Sequence, residues 1–291
     1  MLVASSHQSE PHLSSVQLRP MVRNMAKVLM HDVSLLERLY TGPNVQGMSK
    51  TMLNVRALLH SFNTSVLTLH AQVQYRFPPQ LAVFPSNEFY QGRLRTAMKD
   101  ASTRLAVLKG YKFPWPTKDE VVAPVVFVQC RKEEDMGGMS KRNEGQAEVV
   151  LQVIKLLTTK DAQEEEPASE LHSSREPETK VKITVLTPYT KQVSELKARI
   201  PRDSEVEAFT IDSFQGRESD IIIFSTVRCN VDRDIGFVED ARRLNVMWTR
   251  AKLALIVVGD RDTLGTSALW KRAMGCCEEV GLPEDLVVSK D

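Results

Sequence analysis

The chain has 291 residues, 42% of them hydrophobic and 26% charged, enough to bury the core of one large domain or two small ones. Lys and Arg total 38 against 37 Asp and Glu, so the net charge of +1 points to no partner, and any nucleic-acid reading must rest on local placement of charge. The four cysteines (Cys130, Cys229, Cys276 and Cys277) form no C-x-x-C pair and have no histidine at ligand spacing, so neither zinc nor any other metal is expected, and a reducing compartment is. With no basic-then-apolar leader and no apolar run near the roughly 20 residues of a bilayer span, the expectation is an intracellular protein with no membrane partner.

In chain order, residues 33–39 read as a short helix, and 58–73 as an apolar, β-rich stretch out of keeping with its flanks. Residues 84–90 and 92–94 read as a turn-rich segment carrying aromatic anchors. From 121 onward strand and helix signals alternate, which predicts an α/β fold with a mostly parallel sheet flanked by helices. Strands are expected at 125–128, 182–186, 206–211, 221–226 and 253–258. Helices are expected at 144–157, where Ala147, Val150, Ile154 and Leu157 recur at helical spacing, and at 190–198, 240–248 and 263–274. Residues 158–180, rich in Glu, Ser and Pro, read as a flexible, solvated loop. No repeat is visible.

Polar clusters adjoin two of the buried strands, where an α/β fold presents a phosphate site. Gln215, Gly216, Arg217 and Glu218 precede one; Arg242, Arg243, Asn245, Thr249 and Arg250 precede the other. An arginine fork matches phosphate oxygens bidentately, and Arg250 is the best candidate for one, against a plain surface pair with Asp240 or Glu239. Arg242 and Arg243 are open between structural ion pairs and phosphate contacts. Gly216 permits close backbone approach or a positive φ. Asp212 or Ser213 could simply cap the turn that follows. Thr187-Pro188-Tyr189-x-x-Gln192 follows a strand and opens a helix. Its hydroxyl and aromatic ring suit a phosphate and a base, and the same residues also make an ordinary helix start.

Taken together, these segments resemble superfamily 1 helicases of the up-frameshift type, which act in nonsense-mediated RNA decay. The carriers are the Q-G-x-E element at Gln215 to Glu218, R-R-L-N-V-M-W-T-R-A ending in Arg250, T-P-Y-x-x-Q at Thr187, and Gln74-Tyr75-Arg76-Phe77-Pro78-Pro79 beside the family's Q-Y-R-M-H-P. Gln17-Leu18-Arg19-Pro20, followed by D-V-S-L-L-E-R-L from Asp32, resembles the end of the family's coupling motif. The resemblance implies a RecA-like P-loop NTPase fold and, in the intact enzyme, ATP with Mg²⁺. It implies that Arg76 and Arg250 sense the γ-phosphate, that Gln17 does so from the first lobe, and that Glu218 lies near the ribose or the catalytic water. Tyr75 would stack on the base of the nucleotide and Gly216 would border it. Thr187, Pro188, Tyr189, Asp212 and Ser213 would contact single-stranded RNA or DNA. Decay or RNA-processing factors would be partners, in the cytoplasm or the nucleus. Met247 and Trp248 stand where the family usually has Ala-Leu, and the added indole is expected to repack the helix beside Arg250.

No G-x-x-x-x-G-K-[ST] loop and no strand ending in Asp-Glu occurs in the sequence, so ATP and Mg²⁺ are not expected to bind fully to this chain alone. The expected organisation is an incomplete tail of a first RecA-like lobe at 1–73, a second lobe at 74–278 and a tail at 279–291, in a fragment or imperfect gene model of a longer protein. As a hypothesis, 55–72 is an aberrant insert of translated intron, since the family runs Met52-Leu53-Asn54-Val55 almost directly into Gln74; a mature message retaining those codons refutes it. The leading function is the C-terminal motor lobe of an ATP-dependent helicase. The alternatives are a non-catalytic RNA-binding or regulatory module, or an interaction protein whose motifs are relics.

Overall fold

A computed structural model describes residues 73–283 apart from 99, 136, 139 and 160–180. Gln17, the expected helix at 33–39, the 55–72 insert and nearly all of the 158–180 loop lie outside the described residues.

The chain enters through β1 (Val73–Gln74), α1 (Pro79–Phe89) and β2 (Arg95–Thr96), with β1 and β2 paired in parallel. After α2 (Ala101–Ala106), a small antiparallel ribbon of β3 (Thr117–Lys118) and β4 (Val121–Val122) leads into the main sheet. Its elements are β5 (Val125–Gln129), α3 (Glu144–Thr158), β6 (Ile183–Thr187), α4 (Thr190–Arg199), β7 (Glu207–Thr210), β8 (Ser219–Ser225), α5 (Ala241–Trp248), β9 (Ala251–Gly259), α6 (Arg261–Leu264), α7 (Ala268–Met274) and β10 (Glu278–Glu279). The strand order is β10-β5-β9-β8-β6-β7, and every pairing is parallel.

Central strands of such a sheet are covered on both faces, so they must be apolar on both. Ile221 and Ile223 of β8 enter one buried cluster with the residues of α3, while Ile222 and Phe224 enter the other. α3 begins at Asn143, whose side chain accepts from the Gln146 amide at 2.9 Å. Its Ala147, Val150, Ile154 and Leu157 are all buried, as their spacing predicts. No helix among the described residues is long and apolar enough to cross a membrane.

Two expected elements differ. Residues 84–90 are not turns: Pro79–Phe89 is a helix, opened by Pro79 in its first turn and continued through Pro85. Local propensity argues against a proline there, but Leu81, Phe84 and Phe89 bury one side of the helix, and that packing outweighs it. The single helix expected at 263–274 is two, α6 and α7, separated at Gly265 to Ser267. A Cβ on Gly265 would come within 2.8 Å of the Arg261 carbonyl, so the first helix closes there on a residue without one.

The placement of two connectors matters most for function. Residues 211–218 run from the carboxyl end of β7 back to the amino end of β8, and α5 runs from the carboxyl side of β8 to the amino end of β9. Ile211 and Phe214 of the first share a core cluster with Leu244, Val246, Met247 and Trp248 of the second. Both connectors therefore lie on one face of the sheet and link its two edges.

Candidate functional site

At the amino ends of β8 and β9 the two connectors finish together, and Arg76 reaches them from the other end of the sequence. Arg76 Nε lies 2.6 Å from Glu218 Oε2, and its Nη1 donates to the Thr249 carbonyl at 2.9 Å. Arg250 Nη2 donates to Thr249 Oγ1 at 3.1 Å, Nη1 to the Arg217 carbonyl at 3.3 Å and Nε to the Val246 carbonyl at 3.0 Å. Two arginines 174 positions apart thus converge on one threonine, with a single carboxylate beside them. Burial, together with the neighbouring Arg76 charge, depresses the Arg250 pKa to about 10, although Glu218 and Tyr90 act the other way. The group is still charged at neutral pH but strained by it, which is the state an arriving anion relieves. The plain alternative of an Arg250 pair with Asp240 or Glu239 is not what the side chain makes. Asp240 instead caps α5, accepting from the Arg242 and Arg243 amides.

Local structure holds this constellation in place. Gln74 Oε1 accepts from the Arg76 amide at 2.8 Å and the Phe77 amide at 3.0 Å, while its Nε2 donates to the Phe77 carbonyl and to Thr96 Oγ1. The turn bearing Arg76 is therefore tied down by its own motif's glutamine. Trp248 does not crowd Arg250, as its bulk led us to expect. The indole is buried against α1, its Nε1 donating to the Leu81 carbonyl at 3.1 Å and its ring 4.5 Å from that of Phe84. It binds the helix after Arg76 to the helix before Arg250. Tyr75 is 64% exposed, with its ring to solvent. Gly216 is exposed at φ +82, the left-handed conformation that glycine adopts without cost, with open space where a Cβ would go.

The other edge of the sheet is built differently. Thr187 is fully buried, and its Oγ1 has no hydrogen-bond partner. Pro188 is half-buried at the mouth of α4. Tyr189 corrects an expectation: it is only 3% exposed and its hydroxyl accepts from Arg228 Nη1 at 3.2 Å, so its ring offers no free face to a base. Arg228 is buried with Glu134. Its Nε lies 3.0 Å from Glu134 Oε2, an ion-pair distance without the alignment of a hydrogen bond, and its Nη2 donates to Asp234 Oδ2 at 2.9 Å. Burial opposes the Arg228 charge, and Tyr189, Glu134 and Asp234 outweigh it, raising the pKa. Asp212 accepts from Arg243 Nε at 3.1 Å and Nη2 at 3.2 Å, and Ser213 bonds back to Thr210. Arg243 therefore has the ion-pair role that the sequence left open, extended by Asp240 at 3.5 Å. Thr187, Pro188, Asp212 and Ser213 nevertheless come to one edge: the Ile211 amide donates to the Thr187 carbonyl at 3.2 Å.

Gln74 and Thr249 were not expected as positioning residues. The glutamine stood inside a quoted motif. The threonine's role depends on a carbonyl and a hydroxyl serving two arginines from different segments, which no spacing reveals.

A family model described as "AAA domain" matches residues 33–262. The regulator of nonsense transcripts 1 homolog of Drosophila melanogaster is 34% identical over 211 residues, covering 70% of this chain and 16% of its own length. The Arabidopsis thaliana homolog is 36% identical over 212 residues, with 69% and 15% covered. The ATP-dependent helicase NAM7 of Saccharomyces cerevisiae is 33% identical over 227 residues, with 72% and 21% covered. The chain spans about a fifth or less of each of these relatives. A parallel RecA-like sheet, the family match across most of the chain and these similarities agree: the chain belongs to this AAA domain family, as a C-terminal lobe of an up-frameshift-type superfamily 1 helicase.

Proposed function

We propose that this chain is the second motor lobe of an ATP-dependent helicase that moves on single-stranded RNA, its arginines completing an ATP site shared with a first lobe. The observation that carries the reading is the convergence of Arg76 and Arg250 on Thr249 beside Glu218, with the Arg250 pKa depressed by burial and by the Arg76 charge. Phosphoryl transfer asks mainly for placed positive charge, and two guanidinium forks with few carboxylates supply it. Their fit is to a terminal phosphate and not to a whole Mg²⁺-nucleotide, because the phosphate-binding loop, its lysine and the Asp-Glu pair are assigned to the first lobe. ATP would supply the phosphoanhydride whose cleavage drives the cycle. Arg76 and Arg250 bind the charge of its terminal phosphate, Glu218 orients Arg76, Gly216 shapes the loop edge and Tyr75 offers a ring to the adenine. Gln17 is assigned to the first lobe's side of the site. The connectors 211–218 and 240–250 run from this cluster to the edge bearing Thr187, Pro188, Asp212 and Ser213, so closure at one end shifts the grip at the other. Decay or RNA-processing factors as partners and a cytoplasmic setting follow from the same reading.

The test is a chimera in which this lobe replaces its counterpart in the yeast relative. Arg250→Ala should lower RNA-stimulated ATP turnover by about 10³–10⁵-fold, the range for other arginine fingers. A chimera that hydrolyses ATP equally well with and without Arg250 sinks the proposal.

A further inference from the structure

The geometry points to Phe237 as the base-stacking surface of this lobe, the exposed ring that takes a nucleobase of a single strand where Tyr189 cannot. This inference rests on the strand-binding half of the function proposed above and gives it a residue. Phe237 is 56% exposed, in a 3₁₀ turn (Gly236–Glu239) whose flanking side chains are inside: Ile235 is 6% exposed and Val238 3%. The turn is fixed at both ends. The Gly236 amide donates to Asp234 Oδ1 at 3.0 Å, and the Val238 carbonyl accepts from Trp270 Nε1 at 2.8 Å. Gly236 sits at φ +55, and a Cβ there would lie 2.5 Å from Arg228 Nη1 and 3.0 Å from the Tyr189 hydroxyl. Only glycine lets the turn close this tightly over Tyr189, and closing it presents the neighbouring ring to solvent.

What Phe237 touches says what it would bind. Its ring centroid is 5.9 Å from that of Tyr189, the residue after Thr187-Pro188. The Arg243 guanidinium carbon lies 5.6 Å from the same centroid, and Arg243 is the partner of Asp212. Phe237 thus bridges the two segments assigned to the strand. Next to Asp212 the Thr210 and Ser213 hydroxyls bond to each other at 2.9 Å, and half-buried Pro188 precedes Tyr189. Two cations beside this turn are already matched: Arg228 by Glu134 and Asp234, Arg243 by Asp212 and Asp240. Those two have little counterion release left to give, so what the ring adds to affinity has to come from stacking, which every base can supply through its π face.

Fluorescence anisotropy of the full chain with a short labelled oligouridylate or oligodeoxythymidylate tests this, with a hairpin duplex as control. Phe237→Ala should weaken single-strand binding about fivefold to a hundredfold, with the slope of log affinity against log salt unchanged. Phe237→Leu, apolar without a π face, should weaken it as well. Phe237→Trp should keep binding, and its added emission should be quenched by the oligonucleotide. If Phe237→Ala binds like the parent chain at every salt concentration, or the introduced tryptophan does not respond, Phe237 is not the stacking surface while strand binding itself stands. If the parent chain binds neither oligonucleotide even at low salt, the strand-binding reading falls and this inference with it.

Discussion

The amino ends of β8 and β9 and the carboxyl ends of β6 to β8 both carry arginines, but the two edges use them in opposite ways. At the first, Arg250 donates to backbone carbonyls and a threonine, Arg76 has one half-exposed carboxylate, and the two guanidinium groups oppose each other's charge. At the second, Arg228 and Arg243 are each held by two carboxylates. Equal counts of arginine therefore carry different chemistry. At the first edge the positive charge is only partly compensated, by Glu218 on Arg76. At the second edge these two arginines are held in ion pairs, and the Phe237 ring stands exposed beside Arg243. The two connectors, packed together on one sheet face, run between these edges.

That contrast can be broken by stability measurements. Arg228→Met leaves Glu134 buried without its partner and should lower the unfolding free energy by about 3–5 kcal/mol in urea denaturation. Arg76→Met, losing a pair whose side chains are 33% and 45% exposed, should cost under about 1 kcal/mol. Equal costs would mean the two edges are not built differently. An effect between these two is expected from Gly236→Ala, where φ +55 and the crowding by Arg228 and Tyr189 should cost about 1–3 kcal/mol. An unchanged thermal midpoint for that variant would show that the turn is not closed as described.

A further modest effect concerns acid. Asp260 caps α6 through the Thr263 amide at 2.9 Å and accepts from Gln129 Nε2 at 2.9 Å. Burial pushes its pKa up, but the hydrogen bonds from Thr263, Gln129 and the Asp262 amide prevail and hold it below the usual carboxylate value. A carboxylate depressed on folding contributes stability that is present above its unfolded pKa and is lost as pH falls through the folded one. Asp260→Asn should therefore cost about 0.5–2 kcal/mol at pH 7 and flatten the stability loss below about pH 4, read from denaturation midpoints across that range. A variant as acid-sensitive as the parent would remove Asp260 from that role.

Much of this molecule was legible in one dimension. Ile221 to Phe224 and Leu253 to Val258 announce themselves as buried strands because a buried strand has no polar side to show. Ala147, Val150, Ile154 and Leu157 mark an amphipathic helix by their spacing alone. The cluster Gln74-Tyr75-Arg76 was identifiable through its resemblance to the family's Q-Y-R-M-H-P, and the arginine closing the second motif stood in a polar cluster that no core needs. Physics set by neighbours in three dimensions was not legible. Pro79–Phe89 is helical because Trp248, 159 residues away or more, covers its apolar side, and a proline-rich stretch read alone argues the reverse. Tyr189 and Phe237 carry similar rings, yet one is buried and the other exposed, because a buried ion pair claims the first and a glycine turn excludes the second. Residue type and period determined which segments would form the sheet and which charges stood apart from it. Tertiary packing alone decided which of those charges kept a free field, because compensation depends on partners that the chain brings together only when it folds.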